Sequence, residues 1–463
     1  MAELLRVTQH ALLHRIATAQ VDGRAPSLVG AVVRDGAPVW MGGWGAIGDS
    51  PDDTQYRIGS ISKTFVAVQV MRLRDEGRLD LADPLDKYLP GTPVGDVRIA
   101  ELLGHTAGLA SESAGQWWER VPGAPALSDA LGADPLRHPA GRRFHYSNPG
   151  FGVLGALVAQ LRGVPWGDAL QQDILEPLGM TRTTLMPQQP HASGWAVHPW
   201  ADVLLPEPAE DAGPMAPAGQ LWSTVIDLCR FVRFLAEGDP AVLRVDTLEE
   251  MRAPASGSTD RTQGYGLGVQ LLYDGDRTLV GHTGSMPGFL AAVWLSVDER
   301  LGGITLTNTT AGIQIGSLAA ELIDIVALHE PPLPPPWQPL QSFDDELLAL
   351  TGTWYWGPTG TTCTYLPIGT CGSIRCAVRG GPPDSVPSRT APGPASRATT
   401  PASGCGSGGT PAAGLPTSTS ARSCSPARLT TRPRRFPAAS TRTAGAASRN
   451  HVPTRDDLGL VAE

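Results

Sequence analysis

Apolar residues crowd the segment between 65 and 73, where Phe65, Val66, Val68, Val70, Met71 and Leu73 leave little polar surface. That density exceeds a single buried stripe. It predicts a helix over about 60–76 that is covered nearly all round, with Gly77 as its stop. The first twenty residues have polar positions every few places and read as an amphipathic first helix. Segments 28–34 and 38–45 read as two strands around the turn Asp35-Gly36. A short helix is expected over 98–103, then a loop-rich helical region containing Trp117 and Trp118. Tyr146-Ser147-Asn148 marks a turn, and Pro149 can open the apolar helix that runs to 162. The stretch 217–238 gives a helix with Thr224 as N-cap and Gly238 as stop. Four strand-like runs follow: GYGLGVQLLY, TLVGHTGSMPG, FLAAVWLSVD and LGGITLTNT. They predict an antiparallel meander. An amphipathic helix over 316–329 closes this part.

The order is strands, many helices, strands, helix. It predicts an α+β fold whose antiparallel sheet is built from N- and C-terminal segments. Helices flank that sheet, and a mostly helical subdomain is inserted between its two parts. Residues 1–330 form this domain. Residues 331–350 are a stiff proline-rich linker and a short helix. Residues 351–463 begin as a small β domain at GTWYWG. From Gly360 on they become Gly-, Ala-, Ser-, Thr-, Pro- and Arg-rich, too poor in apolar surface to fold. That composition fits either a native disordered tail or a GC-rich gene read out of frame after about residue 360.

Charge sharpens the division. The 463-residue chain has net charge −9, yet 12 arginines, no lysine and four acidic residues lie from Gly352 on. The body ahead of the tail is therefore strongly acidic, which argues against nucleic acid as a partner. Cys229 is the one cysteine before Gly352, so that part forms no internal disulfide. The five in the tail lack metal-site spacing. The N-terminus has no continuous apolar run. It reads as neither a signal peptide nor a membrane span, and a cytoplasmic protein is expected.

Candidate chemistry starts at Ser60 and Lys63. Three residues apart on a helix, they share a face at its positively polarised N-terminal end. A capping serine and a solvated lysine would explain the pair equally well, but Lys63 sits among Phe65, Val66 and Ala67, where a solvated lysine is out of place. Two other segments supply what acyl transfer needs. Tyr146 can share the Ser60 proton with Lys63, its phenol made more acidic by the neighbouring ammonium. Asn148 can hold Lys63 and donate to a substrate carbonyl. In Gly281-His282-Thr283-Gly284-Ser285, His282 and Thr283 can position substrate. Gly284 lets the strand approach closely, and the Ser285 and Ser60 amides can hold an oxyanion. His105 is not framed with any G-x-S-x-G serine and reads as structural. No metal or cofactor is required.

These motifs, in this order, resemble the serine β-lactamase and penicillin-binding-protein superfamily, nearest its class C β-lactamase-like esterases, D-aminopeptidases and carboxypeptidases. The carriers are Ser60-x-x-Lys63, Tyr146-x-Asn148 and His282-Thr283-Gly284. LLGHTAGL, QLWST-x-x-DL at Gln220 and YGLG at Tyr265 support them, and the likeness covers residues 5 to 330. It implies a serine hydrolase with an acyl-enzyme at Ser60. Histidine stands where the family often has lysine, so a fixed charge for a substrate carboxylate is missing. The expected substrate is a small ester or amide, or a short peptide. The alternatives are a β-lactamase or D-Ala-D-Ala carboxypeptidase, and a catalytically inactive binding or sensor protein on the same fold.

Overall fold

The first strand is apolar at nearly every position because helices cover both faces of its sheet. In the computed structural model the elements are α1 (Arg6–Asp22), β1 (Ser27–Arg34), β2 (Ala37–Gly45), α2 (Ser62–Asp75), α3 (Asn148–Arg162), α4 (Val225–Glu237), β3 (Ser256–Gly257), β4 (Gln263–Tyr265), β5 (Gln270–Asp274), β6 (Arg277–Met286), β7 (Phe289–Ser296), β8 (Leu301–Thr307) and α5 (Ile315–His329), joined by shorter pieces. The structure describes residues 4–379, apart from 258–261, 276, 311, 335, 340–342, 344, 357–358 and 369–370. Two compact units divide at Pro336 and Trp337.

The sheet of the first unit has eight strands in the order β2-β1-β8-β7-β6-β5-β4-β3, each antiparallel to its neighbours. The N-terminal hairpin thus pairs with the last strand, Val29 opposite Leu306. Asp35 and Gly36 both take positive φ, the backbone that a tight hairpin turn requires. Along β1 the side chains alternate. Leu28 and Val32 pack with Leu12 and Ile16 of α1 and Leu318 and Leu322 of α5. Val29, Ala31 and Val33 face the opposite core, which holds Phe65 of α2 and Phe231 of α4, stacked 3.9 Å apart. Each valine, leucine, isoleucine or phenylalanine among them, fully buried, contributes roughly 1.5–3 kcal/mol.

α2 is enclosed as its pattern predicts: every residue from Ser62 to Met71 is buried, Lys63 included. Gly77 follows with φ +71. Thr224 caps α4 by accepting from the Asp227 amide, and Gly238 ends it. GYGLGVQLLY differs from expectation. It is two strands, β4 and β5, because the chain turns where the Gly266 amide donates to the Val269 carbonyl and Gly268 packs its backbone on Ala67.

β6 outruns its neighbour on one side. β5 pairs with it only over residues 277–281, so 282–286 present a free edge there. This edge meets the turn that starts α2.

The second unit begins with a short helix, Asp345–Ala349. Three antiparallel strands follow, Gly352–Trp356, Thr359–Ile368 and Cys371–Arg379. Regular pairing therefore continues past residue 360, where the loss of aromatic residues predicts an end to folding. Backbone pairing between Thr- and Cys-containing strands does not depend on that aromatic content. The expected unstructured stretch from 380 on lies outside the described residues, as does any consequence of a shifted frame there.

Candidate active site

Ser60 lies in a 3-10 turn, Gly59–Ile61, that runs directly into α2. It therefore stands just ahead of the α-helix rather than in its first turn. Gly59 has φ +55, and a side chain on it would collide with the Ser285 backbone. A Cβ on Gly284 would collide with the Ile58 carbonyl and lie 3.1 Å from the Ser60 nitrogen. Only two glycines allow the turn and the strand edge to come this close. The Thr283 amide donates to Gln270 Oε1 at 2.9 Å, which places it on the β5 side of β6. Strand amides alternate in direction, so the Ser285 amide points the same way, past the end of β5 and toward Ser60.

Lys63 is completely buried. Its Nζ has three oxygen neighbours: Ser60 Oγ at 2.9 Å, Asn148 Oδ1 at 2.7 Å and the Ala218 carbonyl at 2.6 Å. The rings of Tyr146 and Phe151 lie 4.9 and 5.8 Å away. Burial lowers the lysine to about 7, against the raising influence of Glu112 and Glu119. At neutral pH a large share of Lys63 is thus a neutral amine. Two of its neighbours can only accept hydrogen bonds. They take the two N–H groups of the neutral form, and the lone pair is left facing the Ser60 hydroxyl.

Ser147 caps α3 by accepting from the Gly150 amide, which sets Tyr146 just outside the helix and Asn148 at its first position. The Tyr146 phenol is not made more acidic, as the sequence suggested. Burial raises it well above its ordinary value, and its interaction with Ser60 only partly opposes this. Glu112 and Glu119 add to the rise, because a phenolate beside them would be a further negative charge. Tyr146 is therefore a proton donor at neutral pH.

His282 also departs from expectation. It is buried, hydrogen-bonded to Tyr265 Oη at 3.1 Å and to the Thr283 carbonyl at 2.5 Å. The carbonyl can only accept, so Nδ1 carries the proton and Nε2 receives the tyrosine hydroxyl. Burial lowers His282 to about 3. It is neutral and sits behind the cleft, where it braces Tyr265. His105 is structural, as read: its Nδ1 accepts from the Ser147 amide at 3.0 Å, and its ring lies 4.2 Å from that of Tyr146.

A cleft of about 1000 Å³ opens over this arrangement. Ser60, Tyr146, Thr283, Gly284 and Ser285 line it, with Trp294 from β7. Of the eight residues singled out, these five reach the cleft. Lys63, Asn148 and His282 stand behind them. A cavity of similar size at the other end of α2 is lined by charged side chains, among which Lys87 pairs with Asp83 and Arg74 with Glu250.

The loops over 111–140 and 191–215 are expected from the sequence to shape the pocket, but sequence reasoning singles out no residue in the one that faces Lys63 from the other side. Glu112 accepts from Asn148 Nδ2 with both carboxylate oxygens at 3.0 Å and from Trp118 Nε1 at 2.8 Å. Burial and Glu112 raise Glu119 to about 7. Arg120, paired with Glu207, ties this loop to the 206–213 segment, where Gly123 donates to the Asp211 carbonyl. Ser-, Ala- and Gly-rich loops carry no periodicity, and nothing in that stretch marks one glutamate above its neighbours. Among the described residues, no His, Cys, Asp and Glu cluster has the makings of a metal site. No helix there is long and apolar enough to cross a membrane.

Residues 13–328 match the family model of Beta-lactamase. Beta-lactamase-like protein 2 of Dictyostelium discoideum is 28% identical over 276 residues, which is 55% of this chain and 50% of that protein. This chain thus spans half the length of that relative. Penicillin-binding protein 4 of Amycolatopsis lactamdurans is 27% identical over 314 residues, 63% of this chain and 79% of the relative. Among solved structures, a D-stereospecific amidohydrolase from Streptomyces sp. has a TM-score of 0.60 and 26% identity, covering 70% of this chain and 99% of its own. D-amino acid amidase from Ochrobactrum anthropi SV3, complexed with D-phenylalanine, has a TM-score of 0.59 at 21% identity, covering 70% and 98%; this is a likeness of fold.

Proposed function

The chain belongs to the beta-lactamase family, and from that premise we propose that it is a serine hydrolase that cleaves a small ester or amide through an acyl-enzyme at Ser60. The observation that carries the reading is the 2.9 Å contact between Ser60 Oγ and a buried Lys63 amine lowered to about 7, so that a large share of it is free to accept a proton at neutral pH.

Ser60 Oγ attacks the substrate carbonyl carbon, and its proton passes to the lone pair of Lys63 Nζ. The Ser60 and Ser285 amides receive the developing oxyanion. When the tetrahedral intermediate collapses, the bond to the leaving nitrogen or oxygen breaks. The neutral Tyr146 phenol hands that atom a proton, and the Lys63 ammonium re-protonates the phenol. Water then attacks the acyl carbon, its proton taken by Lys63, and Ser60 leaves with a proton restored to Oγ.

The charge around the cleft narrows the substrate. His282 is neutral and buried, so the third motif offers no cation to a substrate carboxylate. Glu112 and Glu119 add negative charge near Lys63. This environment suits an uncharged ester or an amide bearing a free amine, such as a D-amino acid amide, better than a carboxylate-bearing β-lactam. The amidase names among the structural relatives point the same way.

The test is turnover of p-nitrophenyl acetate, D-amino acid amides and nitrocefin by the full chain, with Ser60→Ala as control. Ester or amide turnover should vanish in the variant. A fluorophosphonate probe should add its mass to the wild-type chain alone. Undiminished turnover by Ser60→Ala would overturn the mechanism, and nitrocefin as the best substrate would overturn the substrate class.

A further inference from the structure

We propose that Glu112 is a positioning residue for proton transfer: by holding the Asn148 amide in one of its two orientations, it aims the Lys63 amine at the Ser60 hydroxyl. This rests on the acyl-enzyme reading above.

An asparagine amide presents an acceptor on one side and a donor on the other, and a half-turn exchanges them. Its own packing does not choose between them. Glu112 does, because a carboxylate only accepts. Both of its oxygens lie 3.0 Å from Asn148 Nδ2. The oxygen Oδ1 must therefore face Lys63, 2.7 Å away. The Ala218 carbonyl, which also only accepts, takes a second position on the same amine. With two acceptors fixed, the remaining position on Nζ is the one turned to Ser60. Reversing the amide would set an N–H against the lysine, and the lone pair would be drawn toward Asn148 instead.

Glu112 is exposed, but it is not loose. Trp118, itself buried, donates to Oε2 at 2.8 Å. The backbone beside it is clipped to the start of α3. The Asn148 amide donates to the Ser111 carbonyl at 2.9 Å, and Ser147 Oγ donates to the Ala110 carbonyl at 2.7 Å. The orientation of Asn148 is thereby set by a loop anchored to the start of α3.

Glu112 also acts through charge. The groups that face Lys63 are Ser60 from its own turn, Tyr146 and Asn148 from the start of α3, Glu112 and Glu119 from the loop, His105, and His282 from β6. Both histidines are held neutral by burial. Of the two carboxylates, Glu119 is half-neutralised near pH 7. Removing the charge of Glu112 should make the Lys63 ammonium easier to deprotonate.

The experiment compares Glu112→Ala, Glu112→Gln and Glu112→Asp with wild type on p-nitrophenyl acetate. This ester has no ammonium for Glu112 to bind, so an effect on it is not substrate recognition. Labelling of Ser60 by a fluorophosphonate across pH is the parallel readout, and Tm reports folding. Glu112→Ala should lower kcat and the labelling rate by on the order of tenfold or more, with KM changed less than about twofold. Both neutral variants should move the acidic limb of kcat/KM to lower pH, and Glu112→Asp should recover much of the rate. If Glu112→Ala fails to fold, Glu112→Gln and its pH profile carry the test. An unmoved limb with unchanged kcat in a folded variant overturns the proposal, and so does a rise in KM alone. Should Ser60→Ala be inactive while the Glu112 variants behave as wild type, only this inference fails. Turnover by Ser60→Ala would instead remove the reading beneath it.

Discussion

Lys63 Nζ and Ser60 Oγ face each other across 2.9 Å with the lysine fully buried and the serine at the edge of the cleft. The spacing places them on one turn, but the contact becomes chemical only because the lysine has lost its water. A solvated ammonium three residues from a serine would donate to it and hold its proton in place. Burial turns the same lysine toward acceptance.

Activity should therefore rise with pH through an acidic limb near 7. Lys63 is lowered to about 7, so its basic form grows above that pH and is lost below it. The profile of kcat/KM on a non-ionising ester checks this. A limb near 4, or none between 5 and 9, would contradict the assignment of Lys63 as base.

Lys63→Met should abolish turnover and change how stability depends on pH. Between about 7 and 10.5 an unfolded lysine keeps a proton that the folded one has released. Stability contributed by this group therefore rises as pH increases through that window, and below it the fold bears the full cost of a buried ammonium. The stability of the methionine variant relative to wild type should be greater at pH 6 than at pH 10, by at least about 1 kcal/mol. Chemical denaturation at the two pH values reads it, and a constant difference would refute it.

Tyr146→Phe tests the role of the phenol. Burial holds Tyr146 protonated, so its loss removes a donor and leaves the base in place. We expect kcat to fall by roughly 10²-fold on amides, less on esters of good leaving groups, with the acidic limb still near its wild-type position. Disappearance of that limb would make Tyr146 the base.

Gly284→Ala should be severe. The added methyl meets the Ile58 carbonyl and forces the strand edge away from Ser60. Moving the Ser285 amide from the oxyanion should reduce kcat by about 10²–10³-fold. A folded variant with wild-type kcat would remove Ser285 from the mechanism.

His282 should make the fold acid-sensitive. Its folded value is about 3, against an ordinary 6.5, so the unfolded chain takes up a proton that the folded one refuses. Stability from this group is complete above 6.5 and is lost as pH falls toward 3. His282→Gln should lose less stability than wild type between pH 7 and pH 4, by about 1–3 kcal/mol, in urea titrations. Parallel curves would show that the ring is not held neutral by the fold.

Much of the arrangement was legible in the residues. The crowded apolar run of α2, the Asp35-Gly36 turn, Thr224 and Gly238 around α4, and Pro149 at the start of α3 are local signals. Local sterics and local hydrogen bonds enforce them. Ser60, Lys63, Tyr146 and Asn148 could be named because their spacings from these elements are short. Glu112 could not. Its importance lies in facing a side chain 36 positions away, and its loop follows no period.

What the amino-acid order alone decided is which groups lie near each other along the chain: a serine one turn before a lysine, a tyrosine two before an asparagine, and a glycine where a strand must be approached. Which of those groups bear charge was decided in three dimensions. Lys63 is lowered to about 7, Tyr146 stays protonated and His282 is held neutral because segments far apart in sequence exclude water from all three. Desolvation depends on everything packed around a group, whereas spacing depends only on the residues between. The motif was therefore readable in one dimension, and its protonation states were set by the fold.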